Sequence, residues 1–205
     1  IIHSAQRLGR IHGLNMAGLL QKPMSVPDLQ AVLRTTMDDG PALTALALRD
    51  AIDLGQIVNY YQPRVTITPA GLAIEGVEAF CRWEHPVYGT ISPDVFIPLA
   101  EQTKLIGPMS LQVIEAAVRQ AGKWQEQGLD LSVAVKLPEE LLTKRDLPDQ
   151  ITGFLDRAGV KSPKLILEIR ENEAMANTAR TMEILTRLRL KNLRLAIDNF
   201  GTGFT

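Results

Sequence analysis

Apolar residues recur along most of the chain with one of two periods. In LSVAVKL, alternation places Val133, Val135 and Leu137 on one face and Ala134 with Lys136 on the other. The same period in KLILEIRE sets Leu165, Leu167 and Ile169 against Ile166, Glu168 and Arg170, and in LRLAIDNF it sets Leu195 and Ile197 against Ala196 and Asp198. These strands, at about 131–137, 164–170 and 193–198, alternate with stretches that predict helices at about 93–103, 109–127, 146–158 and 174–190. Strands separated by helices of that length predict right-handed βαβ units and a parallel sheet or barrel. Ahead of them, a helix over roughly 42–54 leads into a β-rich run from Ile57 to Thr68. A Pro-Ala-Gly turn at 69–71 returns that run into 72–82, where Ile74, Gly76, Glu78 and Phe80 share a face, so the first two strands predict a hairpin. Ser92 before Pro93 predicts an N-cap with proline at the first helical position.

The front of the chain has a smaller pattern of its own. Residues 1–36 predict a helix to about Ile11 and a buried strand from Ala17 to Leu20, ended by Lys22 and Pro23. A second helix follows, capped by Ser25 and carrying Leu29, Val32 and Leu33 on one face. Met37 to Pro41 has the polar, Gly/Pro character of a linker, which places a boundary at 37–42 and a second domain over 43–205.

Composition narrows the class. With 205 residues, 45% hydrophobic, 22% charged and a mean hydropathy of +0.02, the chain is that of a soluble globular protein, neither disordered nor collagen-like. No run reaches the length of a membrane span and the first residues lack the apolar core of a signal peptide, so the expectation is cytoplasmic, with no membrane partner. Twenty-two basic against 23 acidic residues give a net charge of −1, which supplies no global field for nucleic acid. An anionic ligand must therefore be held by local charges. The single cysteine excludes an intrachain disulfide, and the three histidines show no HExxH spacing.

The candidate chemistry lies where charges interrupt apolar strands. Glu78, Lys136, Glu168 and Asp198 each fall late in a strand, on what alternation makes a common face. In barrels of alternating strands and helices, functional groups come from those C-terminal strand ends. Three carboxylates at one mouth repel one another unless a cation lies among them, either a divalent metal or Lys136 itself. The plainer reading is four solvated strand ends, each pairing locally. Cys81 reads as an inert small hydrophobe rather than a redox switch, and His85 as a residue shaping its loop. Trp83 and Trp124 read as packing, and GTG at 201–203 as a tight turn rather than a phosphate nest.

The strings YYQP at 60–63, GVEAFCRWEHP at 76–86, SPDVFIPLAEQT at 92–103, LEIRE at 167–171 and DNFGTGF at 198–204 together resemble an EAL domain. That family comprises cyclic-di-GMP phosphodiesterases and non-catalytic relatives. The front segment is similar to the last third of a flavodoxin-like receiver domain, with Ser4 at the hydroxyl switch position and Lys22, before Pro23, at the late lysine. The composite resembles a response regulator, receiver plus EAL, served by an upstream histidine kinase. The resemblance implies an α/β fold, an EAL-type (β/α)8 TIM-like barrel whose first strand is antiparallel. It also implies Mg²⁺ or Mn²⁺ at the mouth, activating water for attack on a phosphodiester to give linear pGpG. By resemblance Glu78, Glu168 and Asp198 hold metal, Gln62 and Arg82 contact ligand, and Phe80 stands where Leu is usual. A homodimer and protein partners are further implications. The barrel is expected to be incomplete in this chain, with the family's catalytic Lys and late Glu falling beyond Thr205.

Two positions depart from the family pattern. Its metal-binding Asn is Lys136, and the second Asp of its DDFGTG loop is Asn199. An ammonium has no lone pair to offer a metal, and Asn199 removes a negative charge from the second metal's surroundings. The favoured expectation is a degenerate EAL domain, non-hydrolytic, acting through cyclic-di-GMP or protein binding. A metal-dependent phosphodiesterase and a nucleotide-independent interaction scaffold are the alternatives.

Overall fold

The computed structural model describes residues 25, 27, 43–69, 71–172 and 179–201. The chain divides into two compact units, Ile1–Ala42 and Leu43–Thr205. Ser4 and Lys22, with the helix and strand expected around them, lie outside the described residues, as do the last residues of the DNFGTGF string.

The second unit opens on α1 (Ala45–Asp53), whose N-cap Thr44 accepts a hydrogen bond from the Ala47 amide at 3.1 Å. Strands β1 (Ile57–Thr68) and β2 (Gly71–His85) pair antiparallel from Ile57↔Trp83 to Thr68↔Gly71, with a register shift at Arg64/Val65. This is the hairpin that the turn at 69–71 predicts. A three-residue strand, β3 (Gly89–Ile91), folds back onto the end of β2. It is too short to carry a period, and alternation alone does not find it.

From there strands and helices alternate as expected. Helices α2 (Pro93–Gln102) and α3 (Ile106–Glu126) precede β4 (Ser132–Lys136). Then α4 (Leu147–Ala158) leads to β5 (Leu165–Arg170), and α5 (Ala179–Leu190) leads to β6 (Arg194–Asp198). The sheet runs β1-β2-β4-β5-β6, with β3 on β2, and every pair from β2/β4 to β5/β6 is parallel. The result is an α/β fold on a mixed sheet.

Two helix starts differ in detail from the pattern. Helix α3 begins three residues before the predicted 109, because Pro108 falls in the first turn, where a missing N–H leaves no bond unmade. Ser92 does occupy the N-cap of α2, with Pro93 behind it, but its hydroxyl lies 3.4 Å from the Asp94 carboxylate and caps no amide.

The apolar faces of β4 and β5 are buried as alternation requires, whereas on β6 Leu195 is half-buried and Ile197 is exposed. Val133, Val135, Leu137, Leu165, Leu167 and Ile169 are all sealed, together with Met109, Val113, Ile114 and Ala117 of α3. Trp83 is fully buried, meets Phe96 edge-on at 6.1 Å and donates to Gln56 Oε1, while Trp124 meets Tyr61 at 4.8 Å. Both tryptophans are packing residues. Burying each such side chain contributes about 1.5–3 kcal/mol before entropy is counted, which makes the helix-covered face the rigid base from which the opposite face projects its charges.

Candidate functional site at the strand ends

Pairing register puts the four candidate residues on one face. Glu78 lies beside Ala134, Lys136 beside Glu168, Glu168 beside Ala196, and Asp198 beside Arg170, while Gln62 crosses from Glu78 on the antiparallel strand. The common face expected from alternation therefore exists: Lys136 and Glu168 stand level with one another, one step beyond Glu78, and Asp198 stands one step beyond them toward the C-terminal strand ends.

A lysine sits inside the carboxylate group. Lys136 Nζ donates to Asp198 Oδ2 at 2.5 Å and stands 3.8 Å from Glu78 Oε1. Arg64 Nη1 lies 3.5 Å from Glu168 Oε1. The hydrogen bond from Lys136, with its charge, holds the Asp198 carboxyl below the usual carboxylate range. Glu168 goes the other way: burial pushes its carboxyl up, the negative charge of Glu78 adds to the push, and Arg64 and Lys136 oppose it. Two carboxylates of one cluster are thus driven apart, Asp198 by its hydrogen bond to the ammonium and Glu168 chiefly by burial.

That contrast has a measurable consequence. A carboxyl held above its unfolded value lowers stability as pH rises through that range. Glu168→Gln removes this burden, so its Tm at pH 7 should exceed the parent's, by about 2–4 °C per kcal/mol recovered for a chain of this size. The gain should vanish below about pH 4, where Glu is protonated folded and unfolded. Melting curves from pH 3 to 8 check this; a variant less stable than the parent at pH 7 contradicts it.

Among the described residues no three carboxylate, imidazole or thiol side chains converge closely enough to hold a divalent ion. The ammonium of Lys136 reaches two of the three acidic groups, and it is a donor only. These residues, arranged so, do not fit a divalent metal.

Several participants escaped sequence reasoning. Arg64 is two residues past Gln62 on the same face, so alternation carried along β1 finds it. Arg170 faces Glu101 of α2 at 3.8 Å. Glu171 accepts a hydrogen bond from the Gly201 amide at 2.9 Å, which ties the DNFG turn to the end of β5. That amide, one of those weighed as a phosphate nest, is committed to a carboxylate. Asn199 adopts φ +56°, a left-handed conformation that Asn tolerates.

Neighbouring candidates resolve plainly. His85 Nδ1 accepts from the amides of Val87 and Tyr88 at 3.1 and 3.2 Å, so it shapes its loop. Cys81 is half-buried, and burial pushes its thiol up, which makes it a poor nucleophile. A cavity of about 120 Å³ opens at the cluster, lined among others by Phe80, Cys81, Ile97, Met109, Lys136 and Asp198.

The EAL domain model matches residues 45–205. Over 159 residues the chain is 39% identical to the bifunctional diguanylate cyclase/cyclic di-GMP phosphodiesterase MucR of Pseudomonas aeruginosa, covering 77% of this chain and 23% of that protein. Over 203 residues it is 29% identical to the cyclic di-GMP phosphodiesterase RocR of the same organism, covering 94% of this chain and 51% of that one. The chain thus spans about a quarter of one curated relative and about half of the other. Among solved structures, the PaMucR phosphodiesterase in complex with c-di-GMP superimposes with a TM-score of 0.70 at 38% identity, covering 77% of this chain and 64% of that one. The family match, the order and spacing of the strand-end motifs and the superposition agree: the chain belongs to the EAL domain family.

Proposed function

We propose that this chain is a degenerate EAL domain in a response-regulator-type protein, one that binds cyclic-di-GMP without hydrolysing it and signals through that binding or through a protein partner. The observation that carries the reading is the position of Lys136 Nζ, bonded to Asp198 and 3.8 Å from Glu78. A fixed monocation there neutralises carboxylates that would otherwise attract Mg²⁺ or Mn²⁺, and it cannot lower the pKa of a water as a metal does. Arg82, Gln62 and Phe80 remain on the same strands to meet the nucleotide. Support for the ligand comes from MucR, the relative whose phosphodiesterase structure is a c-di-GMP complex.

The receiver reading rests on Ser4 and Lys22, and the alignment with RocR runs over nearly the whole chain, front segment included. In that arrangement a histidine kinase acts upstream, and a homodimer is the assembly proposed. No helix among the described residues is long and apolar enough to cross a membrane.

Calorimetry of the 205-residue chain with cyclic-di-GMP tests the reading, run once in EDTA and once with Mn²⁺, followed by product analysis. Metal-independent binding without pGpG is the expected result. Metal-dependent turnover to pGpG would establish the phosphodiesterase instead, and absence of binding in both conditions would leave the interaction scaffold.

A further inference from the structure

We propose that Tyr60 and Glu84 are positioning residues that hold the Arg82 guanidinium away from the carboxylate cluster and present it to a phosphate of the bound nucleotide. The inference rests on the cyclic-di-GMP reading for its ligand and on the ligand-free geometry for everything else.

The cluster attracts cations. Glu78, Glu168 and Asp198 are offset by Lys136 and Arg64, three negative charges against two positive, which leaves one net negative charge. Arg82 projects from the same face of β2, four residues beyond Glu78, yet among the described residues it forms no ion pair. Something else must hold it. Its Cζ lies 5.9 Å from the centroid of the Tyr60 ring, and its Nη1 donates to the Cys81 carbonyl at 2.9 Å. Tyr60 pairs with Phe80 across the hairpin, which makes it the diagonal neighbour of Arg82, within reach of a long side chain.

The ring is itself anchored. Tyr60 Oη donates to Glu84 Oε1 at 3.2 Å, so a carboxylate on the next outward position of β2 fixes the phenol that underlies the guanidinium. An aromatic face holds a cation without consuming its hydrogen-bond donors. Of the five N–H donors of an arginine, the Cys81 carbonyl takes one, and the planar fork keeps the geometry that matches a phosphate. An ion pair with Glu78 or Glu168 would take those donors instead. The chain Glu84, Tyr60, Arg82 therefore keeps an anion-reading group available next to a group of anions.

The test has one arm without ligand and one with it. In the ligand-free chain, the Arg82 Nε–H signal in a ¹H–¹⁵N spectrum should carry a ring-current shift, reduced in Tyr60→Phe, which keeps the ring but loses its Glu84 anchor, and lost in Tyr60→Leu. With cyclic-di-GMP, Tyr60→Leu should weaken binding about tenfold, Tyr60→Phe much less, and Tyr60→Leu in an Arg82→Ala background should cost nothing further. A merely structural role would lower Tm and weaken binding equally in both backgrounds, and that result would overturn the proposal. If the parent binds no nucleotide, the functional reading fails while the spectrum still decides the positioning. An Arg82 signal unmoved by Tyr60→Leu overturns it outright.

Discussion

A Lys136→Asn, Asn199→Asp double variant should bind Mn²⁺ roughly a hundredfold more tightly than the parent chain. The first change removes a positive charge that touches Asp198 and stands 3.8 Å from Glu78, and it supplies an amide oxygen in its place. At a protein surface, two unit charges about 4 Å apart interact by roughly 4 kcal/mol. Lys136 is half-exposed, at 48%, so solvent reduces that to about 2–3 kcal/mol, or roughly a hundredfold in affinity. The second change restores a carboxylate at a backbone position, φ +56°, which Asp tolerates as Asn does. Without metal the variant should be less stable than the parent at pH 7, because Asp198 loses the partner that depresses its carboxyl. Stability of that kind exists above the unfolded carboxylate value and is lost as pH falls through the folded one, so the deficit should fade toward pH 3. Added Mn²⁺ should recover the lost Tm by mass action. Electron spin resonance of free Mn²⁺ reads the binding, and a double variant no better than the parent means that other features exclude the ion.

Gly76→Ala should cost about 3 kcal/mol or more, a loss large enough to threaten folding. Gly76 pairs with Ser132 where β2 meets β4. A Cβ there would stand 2.2 Å from Ser132 Oγ and 2.4 Å from the Ser132 carbonyl oxygen, both closer than real Cβ contacts occur. The hydroxyl can be removed by mutation, but the carbonyl belongs to the sheet. Adding Ser132→Ala should therefore not rescue the variant, and it would also delete the hydrogen bond from Ser132 Oγ to the Glu75 carbonyl. The effect reaches the site because Glu78 is two residues along the same face, and its height beside Ala134 is set by this close approach. Urea titration gives the number; a Gly76→Ala protein within 1 kcal/mol of the parent contradicts the packing argument, taking about 1 kcal/mol as the ordinary cost of a substitution.

The features legible in the sequence are those with a period. Alternation in LSVAVKL and KLILEIRE assigns Lys136 and Glu168 to one face, and the register places them side by side. What alternation cannot supply is distance across strands. The reach of Lys136 to Asp198 spans two strand steps, because β5 lies between β4 and β6. A long flexible side chain decides that contact, and nothing local in the sequence encodes it. The Glu171 bond to Gly201 is similar: LEIRE and DNFG are both visible as strings, yet only folding brings a carboxylate over that amide. Gln62 came from the resemblance alone, whereas Arg64, two residues further along β1, was within reach of alternation. The three-residue β3 was not, since it is held by Ile91 packing and by pairing with Trp83 rather than by any pattern of its own.

Lys136 is proposed to occupy, as a fixed charge, the role a divalent metal would take among Glu78, Glu168 and Asp198. Titrating Mn²⁺ into the parent chain at neutral pH and following the free-ion resonance tests it most directly. The free-ion signal should rise in step with added Mn²⁺ from the first equivalent, with none withdrawn by the protein. Stoichiometric loss of that signal, abolished by Asp198→Ala, would contradict it.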